Sequence, residues 1–372
     1  MGVRRPGTAF LAAGICLAAL LGLAGTASAS VTMESGSNPC PALPQPAGMG
    51  DSTAVHLQFP YVPAPSPQRY YDGAVLRPTD TVAFPGKRPV VVLQHGWGED
   101  MCSLWWAAQY LAGHGYVTSI HETPFFGDPD DFFIRVLDDL PVIFDADNSV
   151  VDYLKGPDNA FAAYTDAERL GFAGHGVGSI MASLIAGEHP ELGIDAVVGL
   201  NNLRALVVGD SGAAFEDCFL EPQGRLLPAV PALGIAMDGP CSGNPTRTDP
   251  DIKLNGFNAW RSYGVASMEL VMRGYSDANF VGDNAGTDSW DHMGHFMDLW
   301  FRRWLDADPS LDAQLLSPTL DGNPTVDALS AGYHSAAYLP PAVDTTDLSA
   351  CLNGTARCDG KKDPTPPDPD PA

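Results

Sequence analysis

Residues 170–179 read LGFAGHGVGS, and they give the most specific indication of the fold. A short apolar strand, a tight glycine-rich turn and a helix follow one another without a linker. This is the context of the motif G-x-S-x-G, in which a nucleophilic serine lies on a sharp turn between a strand and a helix. Gly174 and Gly178 occupy the two glycine positions, but Gly176 stands where the serine is expected. Glycine adopts without strain a backbone conformation that costs other residues about 1–3 kcal/mol.

A second motif lies upstream, directly after an apolar run. Residues 89–93 (PVVVL) form an unbroken apolar segment, which is typical of a strand buried on both faces of a parallel sheet. The segment QHGW, residues 94–97, follows at once. Taken alone, residues 170–179 could be an ordinary glycine-rich turn, because short glycine motifs are weak signals. The chain between the two motifs has room for a helix, a strand and a second helix. The two motifs at this spacing therefore favour one specific fold.

These motifs resemble the α/β-hydrolase superfamily, in the neighbourhood of chlorophyllases, bacterial cutinase and PET-hydrolase-type esterases, and dienelactone hydrolases. The resemblance spans about residues 75–308 and rests on the segments VVVLQHGWGED, YLAGHGYVTSI and RLGFAGHGVGSIMAS. It implies a Ser-His-Asp triad that acts on carboxylic esters. It also implies an oxyanion hole, a pair of backbone N–H donors, which here would be Trp97 and Val177.

The triad that this resemblance implies is degenerate in this chain. The nucleophile position holds Gly176. In chlorophyllase-like members the acid follows the next strand, where this chain has Asn201, and an amide cannot offset the charge of an imidazolium. In cutinase-like members the acid comes one strand later, near Asp238. Asp277 falls where the catalytic histidine is expected. We therefore expect the protein to be catalytically inactive or degenerate.

An active site with a changed arrangement is the alternative. Ser179 would then be the nucleophile, His292 or His295 the base, and Asp238 the acid. Ser179 lies one turn into the helix, where a serine more often bonds back to its own helix. A base at His292 would need an inserted loop and a changed register. This alternative describes an active secreted esterase or lipase-like hydrolase.

The rest of the chain predicts an α/β fold with a mostly parallel central sheet and helices on both faces, because strands and helices alternate. Predicted strands are Val75–Pro78, Thr81–Phe84, Pro89–Leu93, Gly115–Ile120, Leu170–Ala173, Ala196–Leu200, Ala232–Met237 and Met268–Met272. Predicted helices are Leu104–Ala112, Val177–Ala186 and His295–Trp304. A cleft in such a fold could bind a small ester or another hydrophobic ligand.

The N-terminus reads as a secretory signal. Arg4 and Arg5 precede the apolar stretch Phe10–Leu23, and Ala27-Ser28-Ala29 fits the small-residue cleavage pattern. An uncleaved anchor is the alternative, although the stretch is short for a membrane span. We expect secretion after cleavage near Ala29. The predicted regions are a signal peptide over 1–29, an N-terminal arm with little regular structure over 30–66, a hydrolase domain over 67–310, a C-terminal extension over 311–360 and a disordered Pro/Asp tail over 361–372.

Cysteine content and charge add two expectations. Six cysteines remain after the signal peptide, and an even number in an exported chain suggests disulfides. The pairs that we consider are Cys40–Cys102, Cys218–Cys241 and Cys351–Cys358. The chain has no CxxC and no cysteine–histidine cluster, so neither a metal nor another cofactor is predicted. The formal net charge of −25 disfavours nucleic acid and anionic lipid as partners.

Overall fold

Three antiparallel strands begin a sheet of eleven strands in the computed structural model of the chain. They are β1 (Thr32–Glu34), β2 (Ser52–Tyr61) and β3 (Arg69–Pro78), paired in that order. The described residues are 32–34, 39–40, 50–61, 69–96, 98–122, 147–201, 203, 229–237, 254–272, 275–282, 287–316, 336–340 and 343–345. Within the unit Val31–Ala372, the sheet forms the structural centre.

Six parallel strands form the middle of the sheet. They are β4 (Arg88–Gln94), β5 (Val117–His121), β6 (Thr165–His175), β7 (Ile194–Leu200), β8 (Ala232–Met237) and β9 (Ser267–Met272). Their spatial order is β5-β4-β6-β7-β8-β9, and β3 pairs antiparallel with β5. Most of their residues are buried, as predicted for apolar strands covered on both faces. β10 (Ala336–Leu339) and β11 (Val343–Thr345) extend the sheet antiparallel beyond β9.

Helices cover both faces of this sheet, so the α/β class is confirmed. They are α1 (Trp105–Gly113), α2 (147–155), α3 (Val177–Glu188), α4 (Asn255–Ser262), α5 (Thr287–Leu305) and α6 (Asp312–Leu315). Val91 and Leu93 of β4 belong to a core shared with α1 and α5. Val90 and Val92 point the other way, into a core shared with α2 and α3. Among the helices of the described ranges, none is both long and apolar enough to cross a bilayer.

Two sequence predictions are wrong. Residues 81–84 form a turn rather than a strand, because Asp80 Oδ1 accepts the backbone N–H groups of Val82 and Ala83, each at 2.9 Å. The arm over 30–66 was expected to have little regular structure, yet β2 pairs with β3 over its whole length. Leu57 and Phe59 of β2 are fully buried, which ties this part of the arm to the core.

A disulfide between Cys40 and Cys102 joins the N-terminal segment to the loop after β4, as predicted. The two cysteines are 62 positions apart, and their Cα atoms lie 5.3 Å from each other. Cys102 belongs to a short 3-10 helix, Met101–Leu104, that leads into α1. The other predicted pairs, Cys218–Cys241 and Cys351–Cys358, lie outside the described residues.

Candidate functional site

A sharp turn at Gly176 connects β6 to α3 at the carboxyl edge of the parallel strands. Gly176 has φ 54° and ψ −114°, outside the regions that residues with a side chain normally occupy. Its N–H donates to the Leu200 carbonyl at 3.1 Å, which fixes the turn against β7. Ligands of open α/β sheets bind at this edge of the sheet. The turn is therefore the natural starting point for a functional site.

The two flanking glycines allow a very close approach of three elements. A Cβ on Gly174 would lie 2.3 Å from the Gly178 backbone, and a Cβ on Gly178 would lie 2.3 Å from the Gln94 carbonyl oxygen. Strand β6, helix α3 and the end of β4 thus touch through backbone atoms alone. The spacing of the two glycines in the motif follows from this geometry.

Position 176 itself faces open space. Among the atoms of the described residues, a Cβ on Gly176 would meet only the Gly96 Cα within 4 Å, at 4.0 Å. A side chain would therefore fit there sterically, and only the backbone conformation favours glycine. Gly96 belongs to the loop after β4, so the two sequence motifs face each other across this space. Val177, the residue predicted as an oxyanion donor, is the first residue of α3.

Ser179 bonds to its own turn. Its hydroxyl donates to the Gly176 carbonyl at 2.8 Å, and only 1% of the residue is exposed. This is the local bond that a serine one turn into a helix commonly makes. The Ser179 hydroxyl is therefore directed at the backbone of the turn at Gly176.

A Glu–His pair borders the open space. His175 Nδ1 donates to Glu99 Oε1 at 2.7 Å, and the backbone N–H of Gly96 donates to Glu99 Oε2 at 2.8 Å. The His175 ring stacks on Phe280, with ring centroids 5.6 Å apart. About 18% of the Glu99 side chain is exposed, against 3% for His175. The Glu99 carboxylate therefore lies between the buried histidine and the outside of the site.

A second carboxylate, Glu122, follows β5 at the same edge. Its Oε2 lies 3.4 Å from His95 Nε2, and its Oε1 accepts the backbone N–H of Met101 at 3.1 Å. Burial raises the pKa of Glu122, but the hydrogen bonds from His95 and Met101 outweigh burial and hold the pKa below its usual value. Glu122 thus anchors the loop after β4 from the side of β5.

A third carboxylate–histidine pair is wholly buried beneath the edge. His121, the last residue of β5, has its Nε2 3.1 Å from Asp147 Oδ1, and both side chains are 0% exposed. Gln94, the last residue of β4, donates from Nε2 to Asp147 Oδ2 at 2.5 Å. Asp147 is the first described residue of α2. This network fixes the ends of both strands that precede the site loops.

The other predicted site residues are dispersed or not described. Asn201 follows β7 with φ 71° and is 4% exposed. His292, within α5, forms a hydrogen bond of 2.9 Å between its Nδ1 and the Tyr275 hydroxyl. His295 lies three residues further along α5, with its ring against Phe296. Asp277 begins a 3-10 turn, and its side chain is not described. Trp97 and Asp238 lie outside the described residues.

Sequence reasoning missed four acidic and basic groups at this edge: Glu99, Glu122, His121 and Asp147. The available signal was position, since His121 and Glu122 come directly after a predicted strand and Glu99 lies in the loop after another. Their partners lie far away in the sequence, however, and Glu99 and His175 are 76 residues apart. Within the described ranges, no three His, Cys, Asp or Glu side chains converge in a way that could hold a metal ion.

We expect Gly178→Ala to destabilise the protein by about 3 kcal/mol, because the new methyl group would collide with the Gln94 and His95 carbonyls. Gly193→Ala is the matched control. Gly193 has φ 70°, and no atom of the described residues lies within 4 Å of a Cβ there, so its substitution should cost only about 1 kcal/mol of backbone strain. Urea denaturation of both variants measures the difference. Equal losses in the free energy of unfolding of the two variants would contradict the close contact between Gly178 and the Gln94 carbonyl.

No protein-family model matches this chain, and no curated protein matches it. The function proposed below therefore draws on the geometry at Gly176 and on the resemblance of the two motifs.

Proposed function

We propose that this chain is a secreted protein of the α/β-hydrolase fold. It binds a small ester or another hydrophobic ligand over Gly176 and does not hydrolyse that ligand. The observation that carries the proposal is the turn at Gly176. It has the position and the constrained backbone of a nucleophile elbow, and it lacks the side chain that would attack a carbonyl.

The order of elements supports the hydrolase fold. The loop of the first motif follows β4, the elbow follows β6, and these two strands are neighbours in the sheet. Gly96 and Gly176 thereby meet across the open space, as an oxyanion loop and a nucleophile position must. An ordinary glycine-rich turn would not be expected to lie opposite a His-Gly loop.

The chemistry left at the site supports binding rather than turnover. Covalent acyl transfer needs a nucleophile and an adjacent base. Position 176 supplies neither a hydroxyl nor a thiol, and the Ser179 hydroxyl is engaged with the Gly176 carbonyl. An oxyanion hole alone gives only a small residual acceleration. A ligand with a carbonyl could still accept a hydrogen bond from the Val177 N–H at the start of α3.

The alternative proposal, an active esterase that uses Ser179, His292 or His295 and Asp238, has less support. Ser179 is 1% exposed, so its oxygen would have to leave its helix bond and emerge from the core to reach a substrate. His292 and His295 lie on a different element, α5, and His292 is bonded to Tyr275.

We expect purified protein to hydrolyse p-nitrophenyl butyrate no faster than the same solution without protein, because no attacking group lies at the turn. A fluorophosphonate probe should likewise fail to label it. Ser179→Ala and His292→Ala serve as matched variants and should leave both readings unchanged. Hydrolysis that disappears in either variant would overturn the proposal in favour of the active esterase. Ligand binding is tested separately, by a saturable shift of the Gly176 and Val177 amide NMR signals with the same ester.

A further inference from the structure

We infer that Glu99 determines which charges the space over Gly176 accepts, so that the site admits cationic and neutral groups and repels anionic ones. This inference deepens the proposed function and rests on it only for the location of the ligand. It assigns a specificity-determining role to Glu99, which the resemblance gives no role.

Glu99 is held in one place by two bonds from opposite sides. Its Oε1 accepts from His175 Nδ1 and its Oε2 accepts from the Gly96 N–H. A Cβ on Gly96 would lie 2.8 Å from Glu99 Oε1, and within the described part of the chain Gly96 Cα is the atom nearest to a Cβ at position 176. The carboxylate therefore belongs to the wall of the space over Gly176, and it remains 18% exposed.

This placement reverses the usual polarity of an oxyanion loop. Such a loop stabilises negative charge by presenting backbone N–H groups. Here the N–H of Gly96 is already bonded to Glu99, and a full negative charge stands beside it. The N-terminus of α3 contributes about half of a positive charge, which the carboxylate outweighs. A carboxylate ligand or a developing oxyanion would meet net repulsion.

The wider distribution of charge acts in the same direction. The carboxyl edge of the parallel strands carries Glu99, Asp100 and Glu122, together with the buried Asp147. Every Lys and Arg whose side chain the structure describes lies toward the opposite, amino edge of the sheet. They are Arg77, Lys87, Arg88, Lys155, Arg169, Arg261, Arg302 and Arg303. A site lined by one sign of charge concentrates ligands of the other sign.

The ligand class that fits is a small molecule with an apolar body and a primary amine or guanidinium group. Such a cation can bond to the remaining lone pairs of the Glu99 carboxylate, which offers about four acceptor positions and uses two of them. A neutral ester would bind without this contribution, and the corresponding carboxylic acid, which is ionised at neutral pH, would be repelled.

The charge over position 176 can be measured directly with a thiol introduced by Gly176→Cys, which has room for a side chain. The thiol is treated with two methanethiosulfonate reagents, one carrying trimethylammonium and one carrying sulfonate. The reaction is run at pH 8, because the thiolate is the reacting form of the introduced cysteine. Relative to a small free thiol, we expect the cationic reagent to be favoured about tenfold. Parallel reactions of the chain without the substitution correct for native thiols.

Adding Glu99→Gln should remove most of this preference, because the amide keeps the shape and loses the charge. Asp100→Asn is the matched control. It removes the same charge one residue away, and asparagine can retain the cap that Asp100 forms with the Ser103 N–H. We expect it to change the ratio less than twofold. A ratio near one in the Gly176→Cys protein, or equal effects of Glu99→Gln and Asp100→Asn, would overturn the inference.

A second measurement avoids the substitution at Gly176, in case that variant does not fold. Butylammonium and butyrate are titrated into the native protein and into Glu99→Gln, with the Gly176 and Val177 amide NMR signals as the readout. Preference for butylammonium that Glu99→Gln abolishes is the expected result, and tighter binding of butyrate to the native protein would contradict it. If no ester and neither ion binds while the thiol shows the cationic preference, the proposed ligand function fails and the assignment of Glu99 stands.

Discussion

Replacing both Cys40 and Cys102 with serine is expected to lower the free energy of unfolding by about 4 kcal/mol. The disulfide closes a segment of 62 residues, and a cross-link of that span removes much conformational entropy from the unfolded chain. Urea denaturation without reductant, followed by tryptophan fluorescence, measures the change. In the presence of reductant, the native protein and the variant should unfold at nearly the same concentration of urea. A loss below about 1 kcal/mol without reductant would contradict the prediction.

The same bond bears on the site, because Cys102 lies three residues after Glu99. The loop after β4 is held by the disulfide at one end and by the bonds of Glu99 and Met101 before it. Hydrogen exchange of the Gly96 and Met101 amides should therefore become faster in the double serine variant. Amides of β7 should not change beyond the global loss of stability.

Asp147→Ala is expected to lower the free energy of unfolding by about 3–5 kcal/mol, because it leaves His121 and Gln94 without their common partner in a site with no exposure to water. Asp152→Ala is the matched control, since Asp152 lies on the same helix and is exposed. It should change stability by less than about 0.5 kcal/mol. Denaturation curves of the two variants measure the contrast.

Replacement of the whole pair tests the cause. In the variant that combines His121→Leu with Asp147→Leu, no charge is left buried alone, so much of the lost stability should return. If the Asp147→Ala and Asp152→Ala variants unfold at the same concentration of denaturant, the buried network does not hold the ends of β4 and β5.

The sequence predicted those parts of the fold that depend on local pattern. Residues 89–93 form a strand because an unbroken apolar run suits burial on two faces, and Gly174 and Gly178 predicted the tight turn that the structure contains. Strand β2 was missed because prolines and glycines flank it on both sides. Its alternation of Val55, Leu57 and Phe59 was the available signal, and these side chains pack into the core shared with α2.

The site could be predicted only in part. The glycine at position 176 could be identified from the sequence, because the motif of residues 170–179 fixes its place between a strand and a helix. The pairs that surround it are contacts between elements distant in sequence, such as Glu99 with His175 and His121 with Asp147. Neither residue type nor spacing identifies such partners. Only the strand order, which brings the ends of β4, β5 and β6 side by side, makes them neighbours.

The backbone contact at Gly178 makes the joint between β4 and α3 a rigid one. A methyl group added to Gly178 would lie 2.3 Å from the Gln94 carbonyl oxygen, so β4 and α3 are packed backbone to backbone. The space over Gly176 therefore cannot widen by a shift of these two elements toward each other. Room for a larger ligand would have to come from the loop after β4, which begins near Gly96 and borders the space over Gly176. The ligand that we propose for this site would therefore have to fit the fixed contact between β4 and α3, and substitutions in that loop would change which ligands fit.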